Sequence, residues 1–508
     1  MTARTRPAVL GVDVGTSSTK GVLVGVDGTV LATANREHRV DRPHPGHVEM
    51  DAEIWWREFV DIARELNAGA TADGADDIRI EAVGVSGMGP CVLLADDDGI
   101  PVRPAILYGV DTRATTQIAQ LSDELGDDEI LARGGSILTT QAAGPKIAWV
   151  REHEPEAYER ARMLLMPASF LAHRLTGAYV LDHHSASQCS PLYDSENLAW
   201  YEPWWERIAP GLPAPNLQWP ADIAGGVTAQ AAEQIPGLEE GAPVITGSID
   251  AWTEAISADA QSVGDLMLMY GTTLFLIATT DARVSSRTLW GTIGALPGTY
   301  CLAGGMSTSG AITAWLRDLT GGATYEELTR EAEAAGPGAN GLLTLPYFAG
   351  ERTPIQDPDA RGTLIGLTLD HTRGHLYRSA LEGTAFGIRH NIEELEAAGI
   401  PIRRVVAVGG GTTGGLWTQI VSDITGVDQV IPTSTIGAAF GAAMLAADHA
   451  DSCDGNLENR AVTWNPPAHT LHPNPATRPL YDELYERYRE LYTATAPIAH
   501  SLAALQRS

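Results

Sequence analysis

Residues 13–20 read DVGTSSTK and lie between two apolar stretches, VLGV and GVLV. A turn made of Gly, Ser and Thr presents backbone N–H groups and hydroxyls with little side-chain bulk, and phosphate oxygens need such donors. Asp13 could hold Mg²⁺, directly or through water, and Lys20 could offset phosphate charge. The alternative is an ordinary glycine turn with solvated hydroxyls, so one such turn predicts only a candidate phosphate site.

A second stretch, DLMLMYGTTLFLIATT at residues 265–280, repeats this design about 255 residues later. It is again an apolar strand, a turn of Gly and Thr, and an apolar strand. Two such units so far apart indicate two similar domains that open with the same device, and a coincidence between two glycine turns is the alternative. We therefore expect phosphates to lie at both turns.

A glycine loop, GGGTTG at residues 409–414, separates a predicted strand from a predicted helix. It matches the GxGxxG fingerprint, and Asp428 lies about where a ribose-binding acid would, so a dinucleotide-dependent oxidoreductase is a competing hypothesis. Fewer than a hundred residues remain after the loop, with one convincing strand, QVIP. The loop better suits the nucleoside end of a nucleotide whose phosphates lie at the two turns.

Two further segments carry candidate polar ligands. Asp250 ends an apolar strand and opens a helix in TGSIDAWTEA, which fits a general base at the edge of a sheet as well as a helix N-cap. YGVDTRA at residues 108–114 places Asp111 and Arg113 in a polar loop, where they could grip hydroxyls or form a surface ion pair. GxSxG and HExxH are absent, which lowers the serine-hydrolase and zincin hypotheses.

The elements that must position these residues follow from hydrophobic periodicity. Strands are predicted in a hairpin over residues 8–33 and at 78–87, 243–250 and 265–280. Helices are predicted at 48–68, 145–155, 169–177, 373–399 and 436–450, the last rich in the Gly and Ala that allow close packing. A strand, a glycine loop and a helix are predicted in turn over residues 403–426.

Composition excludes several classes of partner. The chain has 508 residues, too many for one core, and a net charge of −30, which repels nucleic acid and acidic membrane surfaces. Its four cysteines form no CxxC pair, and its N-terminus has no long apolar run, so we expect a cytoplasmic protein without a signal peptide. Lys20 and Lys146 are the only lysines.

Taken in order, these segments resemble the FGGY family of carbohydrate kinases, closest in pattern to its xylulokinase-like members. The resemblance covers about residues 8–447, and it depends on the ordered set. The motifs are LGVDVGTSSTKGVLV, VRPAILYGVDTRA, GPKIAWVREHEP, HRLTG, GSIDAWTEAI, YGTTLFL, the stretch from YFAGERTP to RHNIEEL, and VAVGGGTTGGLWTQIVSDITG.

The resemblance implies an α/β fold of two actin-like, ribonuclease-H-like domains with ATP in the cleft between them. Residues 1–250 would bind the sugar, and residues 251–508 would bind ATP. Asp250 would be the catalytic base that takes the proton from a sugar hydroxyl, and Asp13 would position Mg²⁺. ATP and phosphate contacts are expected from Thr16, Ser17, Lys20, Gly271, Thr272, Gly410 and Gly411. Substrate contacts are expected from Met88, Gly89, Tyr108, Asp111, Arg113 and Asp250.

The sugar pocket departs from the xylulokinase-like pattern. Those kinases carry SGQMHG after a strand, whereas residues 86–91 read SGMGPC, so Gly89 and Pro90 stand where that pattern has Met and His. A ketopentose such as xylulose is the leading substrate. Another ketose, a polyol or a sugar acid stays open, as do an actin-like ATPase and a non-catalytic sugar-binding regulator on the same fold. The sequence leaves a homodimer open.

Overall fold

The structure, a computed structural model, describes residues 5–71, 77–453 and 455–507. Its strands are β1 (Thr5–Val14), β2 (Ser18–Gly25), β3 (Val30–Glu37), β4 (Glu49–Met50), β5 (Asp77–Gly87), β6 (Leu93–Ala95), β7 (Ala105–Ile106), β8 (Met163–Leu165), β9 (Val180–Asp182), β10 (Tyr193–Asp194), β11 (Ala199–Trp200), β12 (Asn216–Gln218), β13 (Ile223–Gly226), β14 (Pro243–Ile245), β15 (Ser248–Ile249), β16 (Asp265–Tyr270), β17 (Leu274–Thr280), β18 (Trp290–Ile293), β19 (Tyr300–Met306), β20 (Leu343–Leu345), β21 (Thr363–Ile365), β22 (Arg404–Val408), β23 (Gln429–Pro432) and β24 (Pro467–Leu471).

The α-helices are α1 (Glu53–Ala70), α2 (Thr115–Leu125), α3 (Asp127–Gly134), α4 (Ala143–His153), α5 (Pro155–Arg160), α6 (Pro167–Thr176), α7 (His183–Ser187), α8 (Glu202–Ile208), α9 (Ala229–Ala232), α10 (Asp250–Ser257), α11 (Gly310–Leu319), α12 (Tyr325–Ala335), α13 (Arg373–Ala397), α14 (Leu416–Thr425), α15 (Ala438–Ala446), α16 (Leu457–Trp464) and α17 (Arg478–Arg507). Short 3₁₀ helices cover Ala339–Gly341, Gly410–Thr412 and Ala447–His449.

Two large sheets share one strand succession. The first has the order β13-β14-β5-β1-β2-β3, and the second has the order β24-β23-β22-β16-β17-β19 with β18 added at its edge. In each sheet an antiparallel hairpin, β1–β2 or β16–β17, is followed by two parallel strands and an antiparallel edge strand. The prediction of two similar α/β domains that open with the same hairpin is therefore confirmed.

The small-residue helix α15 packs against the first sheet although it lies late in the chain. A Cβ atom at Gly11 of β1 would lie 2.0 Å from the carbonyl oxygen of Ala439, and one at Gly84 of β5 would lie 2.0 Å from that of Ala442. On its other side, a Cβ at Gly441 would lie 1.9 Å from the carbonyl oxygen of Thr253 in α10. The prediction that Gly and Ala serve close packing here is confirmed.

The chain therefore crosses between the sheets more than once. All strands of the first sheet precede residue 250, and all strands of the second follow residue 264, but α15 returns to the first sheet. The division into residues 1–250 and 251–508 stays a prediction.

The predicted strand over 243–250 is split. Gly247, with φ of 73°, separates β14 from β15, and a Cβ at this position would lie 2.1 Å from the carbonyl oxygen of Val85. The bend lets Ser248 and Ile249 pair with Ser86 and Gly87 of β5, and Asp250 follows directly at the end of this short strand. Among the described residues we find no helix that is long and apolar enough to cross a membrane.

Candidate active site

A cavity of about 340 Å³ lies between the two sheets and is lined from both halves of the chain. Its polar walls carry Asp13, Ser17, Ser18, Lys20, Tyr108, Gln141, Gln188, Asp250, Glu254, Thr273, Thr292 and Arg352. Its other walls include Met88, Gly89, Ile249, Trp252, Met269, Phe275 and Trp290. We call this space the catalytic cavity.

Asp250 lies where β15 ends and α10 begins. It is the first residue of the helix, and the N-cap is Ile249, so the N-cap alternative for Asp250 is wrong by one position. Its Oδ1 atom accepts a hydrogen bond of 2.8 Å from the N–H of Ala251. The helix start thus holds the carboxylate at the cavity wall.

Three carboxyl groups line the cavity, and the charge of Asp250 raises the pKa of the other two, Asp13 and Glu254. The pKa of Asp13 is raised to about 8, mainly by burial and to a smaller extent by the charge of Asp250. Burial raises the pKa of Asp250 to about 6. Glu254, one turn further along α10, has its pKa raised to about 7 by burial and by Asp250. The charge of Lys20 lowers the pKa of all three. The group is therefore poised to change protonation near neutral pH.

The first hairpin turn runs along one edge of this cavity. Asp13 and Lys20 are directly paired across β1 and β2, and the N–H of Gly15 donates to the carbonyl oxygen of Ser18 at 3.0 Å. The hydroxyl of Thr16 lies 2.9 Å from the hydroxyl of Tyr108. Ser17, Ser18 and Lys20 of this turn therefore line the cavity with Asp13, whereas Thr16 does not line it and instead contacts Tyr108.

The second hairpin turn lies between the catalytic cavity and a further cavity. The N–H of Gly271 donates to the carbonyl oxygen of Thr273 at 3.1 Å, and the first residue of α11, Gly310, donates to the carbonyl oxygen of Gly271 at 2.9 Å. Thr273 lines the catalytic cavity, whereas Gly271 and Thr272 line the second one.

The second cavity, of about 490 Å³, contains the glycine loop. Gly410 and Gly411 form one wall, and the rings of Tyr270 and Trp417 meet edge-on with centroids 5.2 Å apart. A Cβ at Gly411 would lie 2.8 Å from both residues, so a side chain there would displace the aromatic wall. The cavity is largely apolar and adjoins the second turn, which suits a flat nucleobase whose phosphates extend toward Thr273.

The wall beside the first turn carries part of the predicted substrate contacts. Met88, Gly89 and Tyr108 all line the catalytic cavity. A Cβ at Gly89 would lie 2.6 Å from Cγ1 of Ile249, so Ile249 fills the space that a larger residue at 89 would need. The side chain of Ile249 therefore packs into the space beside the glycine that stands here in place of the Met of the xylulokinase-like pattern.

Asp111 and Arg113 do not line the cavity, which corrects the expectation that they grip the ligand directly. Their side chains are fully buried in a 2.7 Å ion pair. Asp111 also accepts the N–H of Val48 at 2.6 Å, and Arg113 donates to Glu49 at 2.6 Å. A D-x-R spacing does not show which way the side chains point. Here they point into the protein and stabilise the loop over residues 108–114 on the side away from the cavity.

Lys146 supports the same loop. Its ammonium group donates to the carbonyl oxygens of Leu107 and Tyr108, both at 2.8 Å, and it is 1% exposed. Burial lowers the pKa of Lys146 to about 8. Lys146 thus holds the backbone of Tyr108, which lines the catalytic cavity, from inside the protein.

Several cavity residues were not anticipated from the sequence. Glu254 follows Asp250 by four residues, a spacing that places both on one face of a helix and could have identified it. Gln141, Gln188 and Arg352 come from loops or loop ends without a local pattern. Only a three-dimensional arrangement brings them together.

Comparison with known proteins agrees with this architecture. Residues 8–257 match the model of the N-terminal domain of the FGGY family of carbohydrate kinases, and residues 266–449 match that of its C-terminal domain. A half-buried carboxylate in a cleft lined by both hairpin turns, together with these two family models, places the chain among the phosphotransferases of the sugar-kinase class. The chain belongs to the FGGY family of carbohydrate kinases, as the sequence motifs predicted.

Individual relatives cover nearly the whole chain. The chain is 28% identical to a xylulose kinase of Bacillus subtilis, over 98% of this chain and 99% of that protein. It is 31% identical to a glycerol kinase of Nocardia farcinica, over 91% and 95% of the two chains. The crystal structure of a xylulose kinase from Rhodospirillum rubrum superposes with a TM-score of 0.89 at 32% identity, over 97% and 100% of the two chains.

Sugar kinases of this family use ATP, and the site fits Mg²⁺ with it. Oδ1 of Asp13 is buried and has no hydrogen-bond partner among the described residues. In the same part of the chain no group of three or more His, Cys, Asp or Glu residues forms a metal site. Mg²⁺ usually keeps several waters and binds through one or two carboxylates plus substrate phosphates, which matches a carboxylate with an unpartnered oxygen beside the first hairpin turn.

Proposed function

We propose that the chain is an ATP-dependent kinase of a ketopentose such as xylulose, with Asp250 as the general base and Asp13 as the Mg²⁺ ligand. The observation that carries the proposal is the position of Asp250. Its half-buried carboxyl group opens a helix directly after a strand, in a cavity lined by both hairpin turns and next to a second, nucleoside-sized cavity.

In this mechanism the sugar hydroxyl lies against Asp250 and attacks the γ-phosphorus of ATP. A bond forms between the hydroxyl oxygen and phosphorus, the bond from phosphorus to the β,γ-bridging oxygen breaks, and ADP leaves with that electron pair. The hydroxyl proton goes to Asp250, whose raised pKa makes it a better proton acceptor than an ordinary Asp while leaving it ionised at neutral pH.

The remaining residues position the two substrates. Ser17 and Lys20 line the cavity and approach the phosphates from the first turn, and Thr16 approaches them from beside Tyr108. Gly271 and Thr272 approach them from the second turn, and Gly410 and Gly411 lie against the nucleoside. Bound Mg²⁺ would neutralise phosphate charge, and Asp13 is the residue that would hold it. Such positioning and charge stabilisation supply most of the catalysis in phosphoryl transfer.

The sugar assignment is supported by relatives named xylulose kinase and by the cavity wall. Gln141, Gln188 and Tyr108 offer donors and acceptors for several hydroxyls, with Met88 and Trp290 as apolar surfaces. Because Gly89 alters the wall, another ketose, a polyol or a sugar acid is the alternative substrate.

The test is an ADP-release assay over ketoses, polyols and aldonic acids, with the purified chain and its Asp250→Ala variant. We expect the highest kcat/KM with a ketopentose, and no sugar-dependent ADP release from the variant, which should still bind ATP. Clear preference for a polyol or an aldonic acid would replace the substrate. Substantial turnover by Asp250→Ala would refute the base, and ATPase activity that no sugar changes would favour the ATPase alternative.

A cytoplasmic location and a homodimer also belong to the proposal. The four cysteines, Cys91, Cys189, Cys301 and Cys453, are free thiols, as in a reducing compartment. Sedimentation of the purified chain at micromolar concentration would measure its oligomeric state.

A further inference from the structure

Arg352 enters the catalytic cavity with part of its guanidinium group unpaired. It lies in the loop that follows β20, and its Nη2 donates to the carbonyl oxygen of Met306 at 2.9 Å. Its Nε is buried and, within the described residues, has no hydrogen-bond partner. The carboxylate beside it, Glu351, instead accepts the backbone N–H groups of Ser307 at 2.7 Å and of Arg352 itself at 2.8 Å.

The surrounding backbone fixes this side chain beside the second hairpin turn. Met306 is paired with Leu274, the residue that follows Thr273 of the turn. A Cβ at Gly305 would lie 3.0 Å from Nη2 of Arg352, so the absence of a side chain there makes room for the guanidinium. The arginine is thus held at the phosphate turn of the second half.

On its open side, Arg352 faces the first half. Arg352 and Tyr108 interact electrostatically, and the hydroxyl of Tyr108 lies 2.9 Å from that of Thr16 in the first turn. Lys20, by contrast, acts on the three carboxyl groups. The two cations of the cavity therefore serve different places, and Arg352 is the one that lies between the turns.

We propose that Arg352 is a further catalytic residue, which binds the phosphoryl group while it passes from ATP to the sugar. The assignment rests on the proposed position of the phosphates at the two turns. During transfer the γ-phosphorus gains the bond to the sugar oxygen and loses the bond to the oxygen of ADP, while negative charge is spread over its other oxygens. The unpaired N–H groups of Arg352 donate to those oxygens, and a planar guanidinium can make two such bonds at once.

The decisive measurement uses binding and kinetics together. Arg352→Ala should lower kcat about 100- to 1,000-fold, as expected for loss of one donor to developing charge, with KM values changed far less. Arg352→Lys should restore only part of kcat, and added guanidinium ion should partly rescue Arg352→Ala. Arg207→Ala, an exposed arginine paired with Glu124, is the matched control and should behave as the unmodified chain.

Binding is measured by calorimetry with ADP, Mg²⁺ and sugar, with and without aluminium fluoride, which imitates the phosphoryl group in transfer. Aluminium fluoride should tighten ADP binding in the unmodified chain and at least tenfold less in Arg352→Ala, while ADP alone binds both equally. Unchanged kcat, or a loss confined to the KM of the sugar, would overturn the proposal.

The Thr16→Val variant distinguishes a failure of the role proposed for Arg352 from a failure of the proposed nucleotide position. If Thr16→Val weakens the aluminium fluoride effect and Arg352→Ala does not, Arg352 is not the catalytic arginine, although the nucleotide position stands. If neither variant changes the effect, the proposed nucleotide position fails as well.

Discussion

The hydroxyl of Thr16 lies 2.9 Å from the hydroxyl of Tyr108, although the residues are 92 positions apart. One belongs to the first hairpin turn, and the other lines the catalytic cavity. A group that displaces Tyr108 therefore also disturbs the turn, because a hydrogen bond between side chains joins the turn to the cavity wall.

Lys146 should matter for the sugar although it does not line the cavity. We expect Lys146→Met to raise the KM of the sugar at least tenfold and to lower Tm, because the carbonyl oxygens of Leu107 and Tyr108 lose a buried charged donor. ADP affinity should stay unchanged. Steady-state kinetics and differential scanning fluorimetry check this, with Arg207→Ala as control. An unchanged sugar KM would show that the loop keeps its conformation without the hydrogen bonds from Lys146.

Activity should fall on the acid side near pH 6. Asp250 must be deprotonated to accept the proton, and burial raises its pKa to about 6, so kcat/KM should decline as pH falls through that value and not near 4. Because the charge of Lys20 lowers this pKa, Lys20→Met should move the decline to higher pH. The pH profile of kcat/KM measures both, and an unmoved midpoint in Lys20→Met would contradict the electrostatic role of Lys20.

Asp13 should reduce stability at neutral and alkaline pH. Its pKa is raised to about 8 in the folded chain, so the folded state binds the proton more tightly than the unfolded state, and the free energy of unfolding decreases as pH rises from about 4 to 8. Asp13→Asn cannot ionise, so its Tm advantage without nucleotide should be larger at pH 8 than at pH 5. Fluorimetry at both values measures it, with Asp61→Asn on the exposed side of α1 as control.

The reverse order, a larger Tm advantage at pH 5, would show that Asp13 is stabilised as a carboxylate. The same variant should lose most Mg²⁺-dependent turnover, which is the usual exchange of stability for function at a catalytic site.

Gly89 and Ile249 should be energetically coupled. A Cβ at 89 would lie 2.6 Å from Cγ1 of Ile249, so we expect Gly89→Ala to lower Tm and raise the sugar KM. Ile249→Ala removes that atom and leaves a cavity. The double variant should be more stable than the sum of the single changes predicts, by about 0.5–3 kcal/mol in a denaturant cycle. Strict additivity would mean that the site relaxes without Ile249.

Local patterns predicted most of the fold. Both hairpins, the long helix α13 and the glycine loop were found because alternating apolar residues, helical spacing and Gly turns are properties of neighbouring residues. Asp250 was found because it stands at a junction of strand and helix. The return of α15 to the first sheet was not predicted, since it depends on contacts between distant segments.

The site was less predictable than the fold. Asp111 and Arg113 turn inward, where Arg113 also pairs with the distant Glu49, a contact that no local spacing reveals. Arg352 lies in a loop without periodicity, so its meeting with Tyr108 requires both domains to be in place. The sequence therefore did not predict which residues from the two halves of the chain meet in one site.

The packing of α15 on the first sheet has a consequence for synthesis on the ribosome. Gly11 and Gly84 are among the early residues to emerge, but the helix that covers them comes some 350 residues or more later. Until then one apolar face of the first sheet lacks its native cover, which exposes the nascent chain to aggregation. We expect the amino-terminal half to need a chaperone or a protective delay, and a fragment that ends before α15 to be poorly soluble.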